Sequence, residues 1–360
     1  MHQPALKFFF ALSFACVVVS AQAQGPGGRL RPKTYPWDER PPKCFMPGAM
    51  EVAGSYCAPK DWTSYPATAY RVNQLLMARD FDLVQRAENE LGYSREQFSP
   101  GEYLFDAWYS GLNGVFGHAG ELSYELLGAW TKAKGEDGYV KVAEAMVRYG
   151  EGWNARGYGA SGTVSPEAWN IYRRKLREAD AILESAPGKV KKMGPWYRLK
   201  LTIAYQLPEF EGRRSDLLAA ASKSWPDYVG IYATAMSFAM PKWGGDYQRV
   251  EEIALLAVGQ SKARLGASLY PVLYQRMFGR ACDCTVRDSA ADWDLMKRGF
   301  RDIEARGQTD PDVWSAYARL ACQMRDRNEA RHLLQLSDKF QGPHGAQAPD
   351  PCREFAFSPT

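Results

Sequence analysis

Residues 310–338 read DPDVWSAYARLACQMRDRNEARHLLQLSD, and this stretch contains two amphipathic segments joined by a short polar turn. Apolar residues recur every three or four positions on both sides of the turn, which is the spacing of one helix face. Asp310 precedes Pro311, an order typical of a helix start. Because the connection is short, we expect the two helices to pack as antiparallel neighbours.

The same stretch carries the residue spacing of a tetratricopeptide repeat. Trp314, Tyr317 and Ala318 stand where that pattern places its first-helix aromatic and small residues. Ala330 and Leu334 stand at its second-helix positions. Small residues recur in such repeats because only they let two helix backbones approach closely. The stretch therefore predicts a pair of helices that stacks on its neighbours.

Weaker copies of this pattern extend toward the N terminus with some drift in their period. Helix-length amphipathic segments, separated by glycine or proline, fill residues 65–340, and strand candidates are nearly absent. We therefore predict an all-α fold, a tetratricopeptide-like α-α solenoid of antiparallel helix pairs over this range. The weaker copies comprise Ala179, Leu183, Ala186, Trp196, Leu199, Tyr205, Leu217, Ala221 and Pro226.

Helix starts and stops are legible elsewhere in the chain. Ser99-Pro100-Gly101-Glu102 and Ser165-Pro166-Glu167 both place a hydroxyl at the N-cap, proline at the first helical position and an acid in the first turn. These motifs predict helices over 101–116 and 166–186. Glycines that follow an apolar run, such as Gly157 and Gly307, predict helix ends.

The first two dozen residues predict export. Lys7 is followed by an apolar run over 8–19 and then by Ala21-Gln22-Ala23, the pattern of a signal peptide cleaved after Ala23. The run is too short to span a membrane, and no later segment reaches the required ~20 apolar residues. The alternative of a lipidated Cys16 lacks the usual leucine before it. We therefore expect a periplasmic or secreted protein without a transmembrane segment.

The ends of the mature chain predict little regular structure. Residues 24–64 are rich in proline and glycine without helical periodicity, which indicates an extended arm. Residues 341–360 carry three further prolines and predict an irregular C-terminal tail.

Removal of Cys16 with the signal peptide leaves six of the seven cysteines, an even number that favours disulfides in an exported protein. Cys44 and Cys57 can close a short loop in the arm. The other four admit three pairings, and we expect Cys352 to anchor the tail. The alternative for Cys282-Asp283-Cys284 is a metal or redox site. The sequence has no second motif of this kind to complete such a site. The disulfide candidates are Cys44, Cys57, Cys282, Cys284, Cys322 and Cys352.

Composition excludes some classes of function. The chain has 360 residues, 46% of them hydrophobic, and 45 basic against 41 acidic side chains. This is the composition of a folded protein of about two domains without a strong field for nucleic acid. Nucleotide-binding and zinc-protease motifs are absent from the sequence. We therefore expect no cofactor and no metal.

Residues 145–276 resemble the bacterial domain of unknown function 4034 family. The resemblance rests on Gly152-Trp153-Asn154-Ala155-Arg156-Gly157, on the segment 164–169 and, some ninety residues after the first motif, on Pro241-Lys242-Trp243-Gly244-Gly245-Asp246. It implies a tetratricopeptide-like helical fold and no assigned activity.

The same motifs supply a candidate ligand pocket. Trp153 and Arg156 share a helix face, and Arg156 is expected to stack on Trp243 or to bond helix-end carbonyls if the two motifs meet. Packing between repeats explains the same residues and is the favoured interpretation. The candidate binding residues are Trp153, Arg156, Tyr158, Trp169 and Trp243.

We expect this chain to bind a protein or peptide along the concave face of its repeats, without catalysis. Such surfaces are usual in solenoids, and the 20 Tyr and 11 Trp are residue types of binding hot spots. The alternative is an envelope enzyme, such as a cell-wall glycan hydrolase, with paired carboxylates. The pairs considered are Asp82 with Glu88 and Glu209 with Glu211.

Overall fold

The computed structural model describes residues 65–135, 138–157, 159–278, 285–341 and 350–358. In these ranges the regular structure is helical apart from one two-stranded hairpin, so the predicted all-α class is confirmed. The stacking of the helices as regular repeats stays a prediction. The predicted signal peptide and the predicted arm, with Cys44 and Cys57, lie outside the described residues. The helices are α1 (Tyr65–Met77), α2 (Phe81–Leu91), α3 (Leu104–Phe116), α4 (Glu121–Lys134), α5 (Gly138–Arg156), α6 (Pro166–Ser185), α7 (Gly194–Gln206), α8 (Arg214–Ser224), α9 (Val229–Ala239), α10 (Tyr247–Leu265), α11 (Leu269–Phe278), α12 (Trp293–Ala305), α13 (Pro311–Gln323), α14 (Arg327–Phe340) and α15 (Pro351–Phe357), and the strands are β1 (Gln97–Ser99) and β2 (Glu102–Tyr103).

None of the helices in the described ranges combines the length and the apolar character needed to cross a membrane. The apolar side chains of these helices instead face neighbouring helices, with polar residues on the opposite side, as in α12 and α14.

Several helix ends follow their local sequence signals. The hydroxyl of Ser165 accepts the amide of Ala168 at 3.2 Å, and Pro166 occupies the first turn of α6. The carboxylate of Asp310 accepts a backbone amide of α13 at 2.9 Å. Gly157 follows α5 with φ +72° and so provides the left-handed turn that other residues adopt only at a cost.

The predicted helix start at Ser99-Pro100-Gly101-Glu102 is wrong. These residues form the turn and strand ends of an antiparallel hairpin, and the helix begins only at Leu104. The hydroxyl of Ser99 does bond the carboxylate of Glu102, but this bond closes a hairpin turn. The backbone reason is Gly101, whose φ of +78° lies outside the helical region.

The chain divides into two compact units. The described part of the first comprises α1–α7, and that of the second comprises β1, β2 and α8–α15. The hairpin lies between α2 and α3 in the sequence but belongs to the second unit. The range 65–340, predicted as one repeat domain, is thus shared between two units.

The first unit contains a buried ion pair between distant helices. Its helix contacts include α1 with α3, α5 with α6, and α3 with α5 and α7. Arg198 on α7 places Nη1 2.5 Å from Asp106 Oδ1 on α3, and both side chains are at least nine-tenths buried. The guanidinium also lies 4.8 Å from the centre of the Tyr109 ring. Removing one partner of such a pair would leave an uncompensated buried charge.

The second unit is organised around Asp227, whose side chain is fully buried. Its carboxylate accepts Gln97 Nε2 at 2.8 Å and the hydroxyl of Tyr103, both from the hairpin. Arg264 on α10 supplies the countercharge, with Nη2 3.0 Å from Oδ2. In the same unit α9 contacts α11, and α11 contacts α13. The hairpin is also held by the amide of Val229, which donates to the carbonyl oxygen of Gly101 at 3.0 Å, and by an ion pair between Glu102 and Arg276.

The C-terminal tail is not wholly irregular as predicted, because residues 351–357 form helix α15. Asp350 caps this helix by accepting the amide of Cys352 at 2.9 Å, and Pro351 occupies its first turn. Cys352 Sγ is at bonding distance from Cys322 Sγ on α13, with the two Cα atoms 5.6 Å apart. Cys282 and Cys284 lie outside the described residues.

Replacing Gly101 with alanine should destabilise the second unit by at least about 2 kcal/mol. A Cβ at this position would lie 2.5 Å from Val229 Cγ2 and 2.6 Å from the carbonyl oxygen of Asp227, at a φ that disfavours side chains. Urea unfolding measures the change. The matched control is Gly259→Ala on α10, where a Cβ meets nothing within 4 Å. That variant should gain about 0.5–1 kcal/mol, and a loss at Gly259 equal to that at Gly101 would contradict the account.

Candidate functional site

The contact between α5 and α6 brings three of the candidate residues together. Gly152 on α5 faces α6 so closely that a Cβ there would lie 2.8 Å from Leu176 Cδ1. Trp153 follows directly on α5 and Arg156 about one helical turn later, and the first turn of α6 carries Trp169. The sequence motif therefore has a packing reason: its glycine permits the approach that juxtaposes its tryptophan and arginine with Trp169.

Arg156 packs on two tryptophan rings. Its Cζ lies 5.0 Å from the centre of the Trp153 ring and 4.9 Å from that of Trp169, within the range of cation–π attraction. Arg156 is 8% exposed and Trp153 9%. Arg173 on α6 lies 5.6 Å from the Trp169 ring centre. We call Trp153, Arg156, Trp169 and Arg173 the Trp–Arg cluster.

Arg156 also bonds the end of its own helix. Nη1 donates to the carbonyl oxygen of Gly157 at 2.9 Å and to that of Gly159 at 3.2 Å. Both carbonyls lie just beyond the C terminus of α5, whereas the sequence motifs predicted a bond to the helix end beside Trp243, which stays a prediction. Arg156 stacks on Trp153, three residues earlier on α5, and on Trp169 of α6.

A hydrogen-bonded layer beneath the cluster was not foreseen from the sequence. Tyr172 on α6 packs edge-on against Trp153 and Trp169, with ring centres 5.5 and 5.6 Å apart. Its hydroxyl donates to Gln206 Oε1, and Gln206 Nε2 donates to the Tyr149 hydroxyl at 3.0 Å. Burial raises the pKa of Tyr172, so this phenol remains a donor. The spacing of three residues from Trp169 was the available sequence signal.

The cluster reaches the protein surface along α6. Trp169 and Arg173 are half-buried, and Arg177, four residues further on, is 55% exposed. Positions four apart share a helix face. Arg177 Nε lies 2.6 Å from Glu209 Oε1. The pKa of Glu209 is lowered by a hydrogen bond from the backbone amide of the same residue and by the ion pair with Arg177. This face therefore presents a tryptophan beside arginines.

Of the remaining candidates, Tyr158 lies outside the described residues, and Trp243 belongs to the second unit. Trp243 is 42% exposed on a 3₁₀ turn over Pro241–Trp243, and its ring centre lies 5.7 Å from that of Phe238. The two glycines after it are backbone requirements. Gly244 has φ +85°, and a Cβ at Gly245 would lie 2.1 Å from the Ala239 carbonyl oxygen.

The carboxylate pairs considered for hydrolysis lack the environments that the reaction needs. Asp82 is exposed, and its hydrogen bond and ion pair with Lys134 lower its pKa. Glu88 is 1% exposed and lines a cavity of about 20 Å³, which has room for about one water. Glu209 and Glu211 lie exposed on a 3₁₀ turn. A general acid requires a raised pKa and access to substrate. The pKa values of Asp82 and Glu209 are lowered, and Glu88 is buried.

A carboxylate of raised pKa does occur in the second unit, at Glu251 on α10. Burial raises the pKa of Glu251, and the charge of Asp292 adds to this effect. Its oxygens accept the hydroxyl of Tyr270 at 2.7 and 2.9 Å and that of Tyr274. The carboxyl group is 6% exposed and bonded on both oxygens, so it is a structural group. No set of three or more His, Cys, Asp or Glu side chains suited to a metal ion occurs in the described ranges.

Replacing Arg156 with alanine should lower the free energy of unfolding by about 2–3 kcal/mol, because two cation–π contacts and two hydrogen bonds are lost. Arg156→Lys keeps the charge but not the planar stacking group, so its free energy of unfolding should lie between those of Arg156→Ala and the wild-type protein. Urea unfolding followed by tryptophan fluorescence measures both changes. Arg174→Ala on α6, where the side chain is 64% exposed, is the control and should change stability by less than about 0.5 kcal/mol. Equal losses at Arg156 and Arg174 would contradict a role for the stack.

Glu251→Gln should remove a pH dependence of stability. The pKa of Glu251 in the folded protein lies above its ordinary value of 4.5, so its contribution is fully present below pH 4.5. That contribution is lost as pH rises through the raised pKa, because the folded state then gives up a proton that it holds more tightly. The stability of the Gln variant relative to wild type should therefore increase between pH 4.5 and pH 8 in urea titrations.

The control for this pH series is Glu252→Gln, whose side chain is 50% exposed and paired with Arg249 at the surface. Its stability relative to wild type should not increase over the same range. A relative stability of Glu251→Gln that stays constant with pH would show that folding leaves the pKa of this carboxylate unchanged, and would contradict the prediction.

No protein-family model, curated protein or solved structure matches this chain. The resemblance of residues 145–276 to the domain of unknown function 4034 family therefore stays a prediction, and the geometry of the Trp–Arg cluster is the basis for a functional proposal.

Proposed function

We propose that this chain is an exported helical-repeat protein that binds another protein or a peptide in the cell envelope, and that the exposed side of the Trp–Arg cluster is its contact surface. The observation that carries the proposal is the half-buried Trp169 beside Arg173, held from below by the buried Arg156. Tryptophan and arginine are the side chains most enriched at binding hot spots.

The rigidity of the cluster supports binding. Arg156 is fixed by two rings and two carbonyl oxygens, and Trp169 packs against Tyr172 as well. A side chain that is already ordered loses little conformational entropy when a partner docks on it. The same contacts with a partner would therefore give a higher affinity at this ordered surface than at a flexible side chain, which would lose entropy on binding.

The chemistry of the surface defines the partner's contact group. The ring of Trp169 offers apolar area, and the guanidinium of Arg173 offers donors for a carboxylate. A complementary partner carries an acidic side chain next to an apolar one. Export is supported by the sequence of the first 23 residues, and binding without catalysis is supported by the burial of Glu88 and by the ion pairs of Asp82 and Glu209.

Affinity capture tests this proposal. The tagged mature protein is used to recover partners from the native envelope, and the partner identified by mass spectrometry is then purified and titrated. Trp169→Ala and Arg173→Ala should each weaken binding by about tenfold, a difference of about 1.4 kcal/mol. Circular dichroism confirms that each variant is folded.

Arg174→Ala is the matched control because it removes the same charge from the adjacent position of α6. It should bind within about twofold of wild type, since Arg174 pairs with Glu178 and not with Trp169. No partner specific to the wild-type protein, or equal weakening by Arg173→Ala and Arg174→Ala, would contradict the proposal. Equal weakening would indicate a general effect of charge.

A further inference from the structure

Helix α15 has too few residues to hold its position by itself. It spans seven residues, Pro351–Phe357, and helices of this length are not stable alone in water. Only Cys352 and Ala356 are buried among its residues, and Phe357 is 43% exposed. Its place against α13 and α14 therefore depends on the bonds that attach it.

The contacts with α14 are hydrogen bonds, an ion pair and two arginine–aromatic contacts, of Arg327 with Phe355 at 5.2 Å and of Arg331 with Phe357 at 5.9 Å. Arg353 Nη2 pairs with Asp338 Oδ1 at 2.6 Å, with the two side chains 29% and 44% exposed. Arg331 Nη2 donates to the Ala356 carbonyl oxygen at 2.8 Å. Exposed ion pairs contribute about 0–1 kcal/mol each. The attachment to α13 is the Cys322–Cys352 disulfide, which is the covalent one of the set.

This disulfide lies in an open depression at the end of α13. Cys322 is half-buried, whereas Cys352 is 7% exposed and its Sγ lies 3.2 Å from the carbonyl oxygen of Ala318. The more accessible sulfur is therefore that of Cys322. The cation of Arg325 at the rim favours an approaching thiolate. The depression is lined by Cys322, Gln323, Arg325, Pro351, Cys352 and Phe355.

We propose that Cys322–Cys352 is a thiol–disulfide exchange site, open to a dithiol reductant through this depression, and that its reduction releases α15 from α13. The site is independent of the Trp–Arg cluster. The structure thus assigns the tail a redox latch, whose opening uncovers the side of α13 around Ala318.

The chemistry balances with one dithiol. A thiolate of the reductant attacks Cys322 Sγ, the S–S bond breaks, and its electron pair leaves on Cys352 Sγ, which takes a proton. The second thiol of the reductant then attacks the mixed disulfide and releases Cys322 as a thiol. Two electrons and two protons pass to this protein, and the reductant ends as a disulfide.

The first experiment tests the site of attack on the full exported chain. Peptide mapping of the non-reduced protein should find Cys322 bonded to Cys352. Brief exposure to reduced glutathione, a monothiol probe with no second thiol of its own to resolve the mixed disulfide, is followed by alkylation and mass spectrometry. We expect glutathione on Cys322 in at least about tenfold excess over Cys352. A different pairing, an adduct mainly on Cys352, or no adduct while the protein stays folded would overturn the proposal.

The second experiment tests release of the helix. Hydrogen exchange of the amides of 352–357 is compared before and after reduction with dithiothreitol, with α10 as an internal reference. Exchange in α15 should accelerate at least about tenfold while that of α10 stays constant. Unchanged exchange in α15 after verified reduction would show that the latch does not depend on the disulfide.

Two variants separate the disulfide from the surface contacts. Cys352→Ser should show the fast exchange of α15 without any reductant. Arg353→Ala removes the ion pair with Asp338 and should change exchange by no more than about twofold while the disulfide is intact. Fast exchange in oxidised Arg353→Ala would assign the attachment to the ion pair and contradict the proposal. If Cys352→Ser does not fold, the measurement on reduced wild type decides.

Discussion

The close approach of α5 and α6 determines which aromatic and charged side chains lie together in the Trp–Arg cluster. Gly152 removes the side chain that would separate the two helices, and Gly157 turns the chain back within a few residues. The tryptophans of both helices then lie on either side of Arg156. A guanidinium can be buried here because its charge faces two aromatic rings and its N–H groups meet carbonyl oxygens that the helix end leaves free.

The second unit meets a related problem with the opposite charge. Asp227 is fully buried, and an unpaired carboxylate in that position would be strongly destabilising. Arg264 supplies the countercharge, and Gln97 and Tyr103 supply hydrogen bonds from the hairpin. A short segment far away in the sequence is thereby incorporated into this unit. In both units a buried charge is stabilised by groups from more than one segment of the chain.

The carboxylates differ in their surroundings. Glu251, whose pKa burial raises, is enclosed by two tyrosine hydroxyls, whereas the exposed Asp82 and Glu209 pair with lysine and arginine. Trp169 is half-buried and Trp243 is 42% exposed, and the two glycines that follow Trp243 satisfy backbone constraints. The surface features are thus suited to contact with another molecule.

Local sequence determined the helices, many of their caps and the all-α class, because periodicity, N-cap side chains and glycine stops act within a few residues. The caps at Ser165 and Asp310 are of this kind. The sequence also placed Trp153, Arg156 and Trp169 in one candidate site, because the turn between their helices is short.

Tertiary structure alone decided the features that depend on long-range contacts. The residues around Ser99 have the signals of a helix start, yet they form a hairpin because Gly101 packs against Val229 and Tyr103 reaches Asp227. Tyr172 is part of the site because its hydroxyl donates to Gln206 on α7. The tail is helical where Cys352 contacts Cys322 on α13. Local propensity selects a backbone conformation only where burial and buried charge far along the chain do not favour another one more strongly.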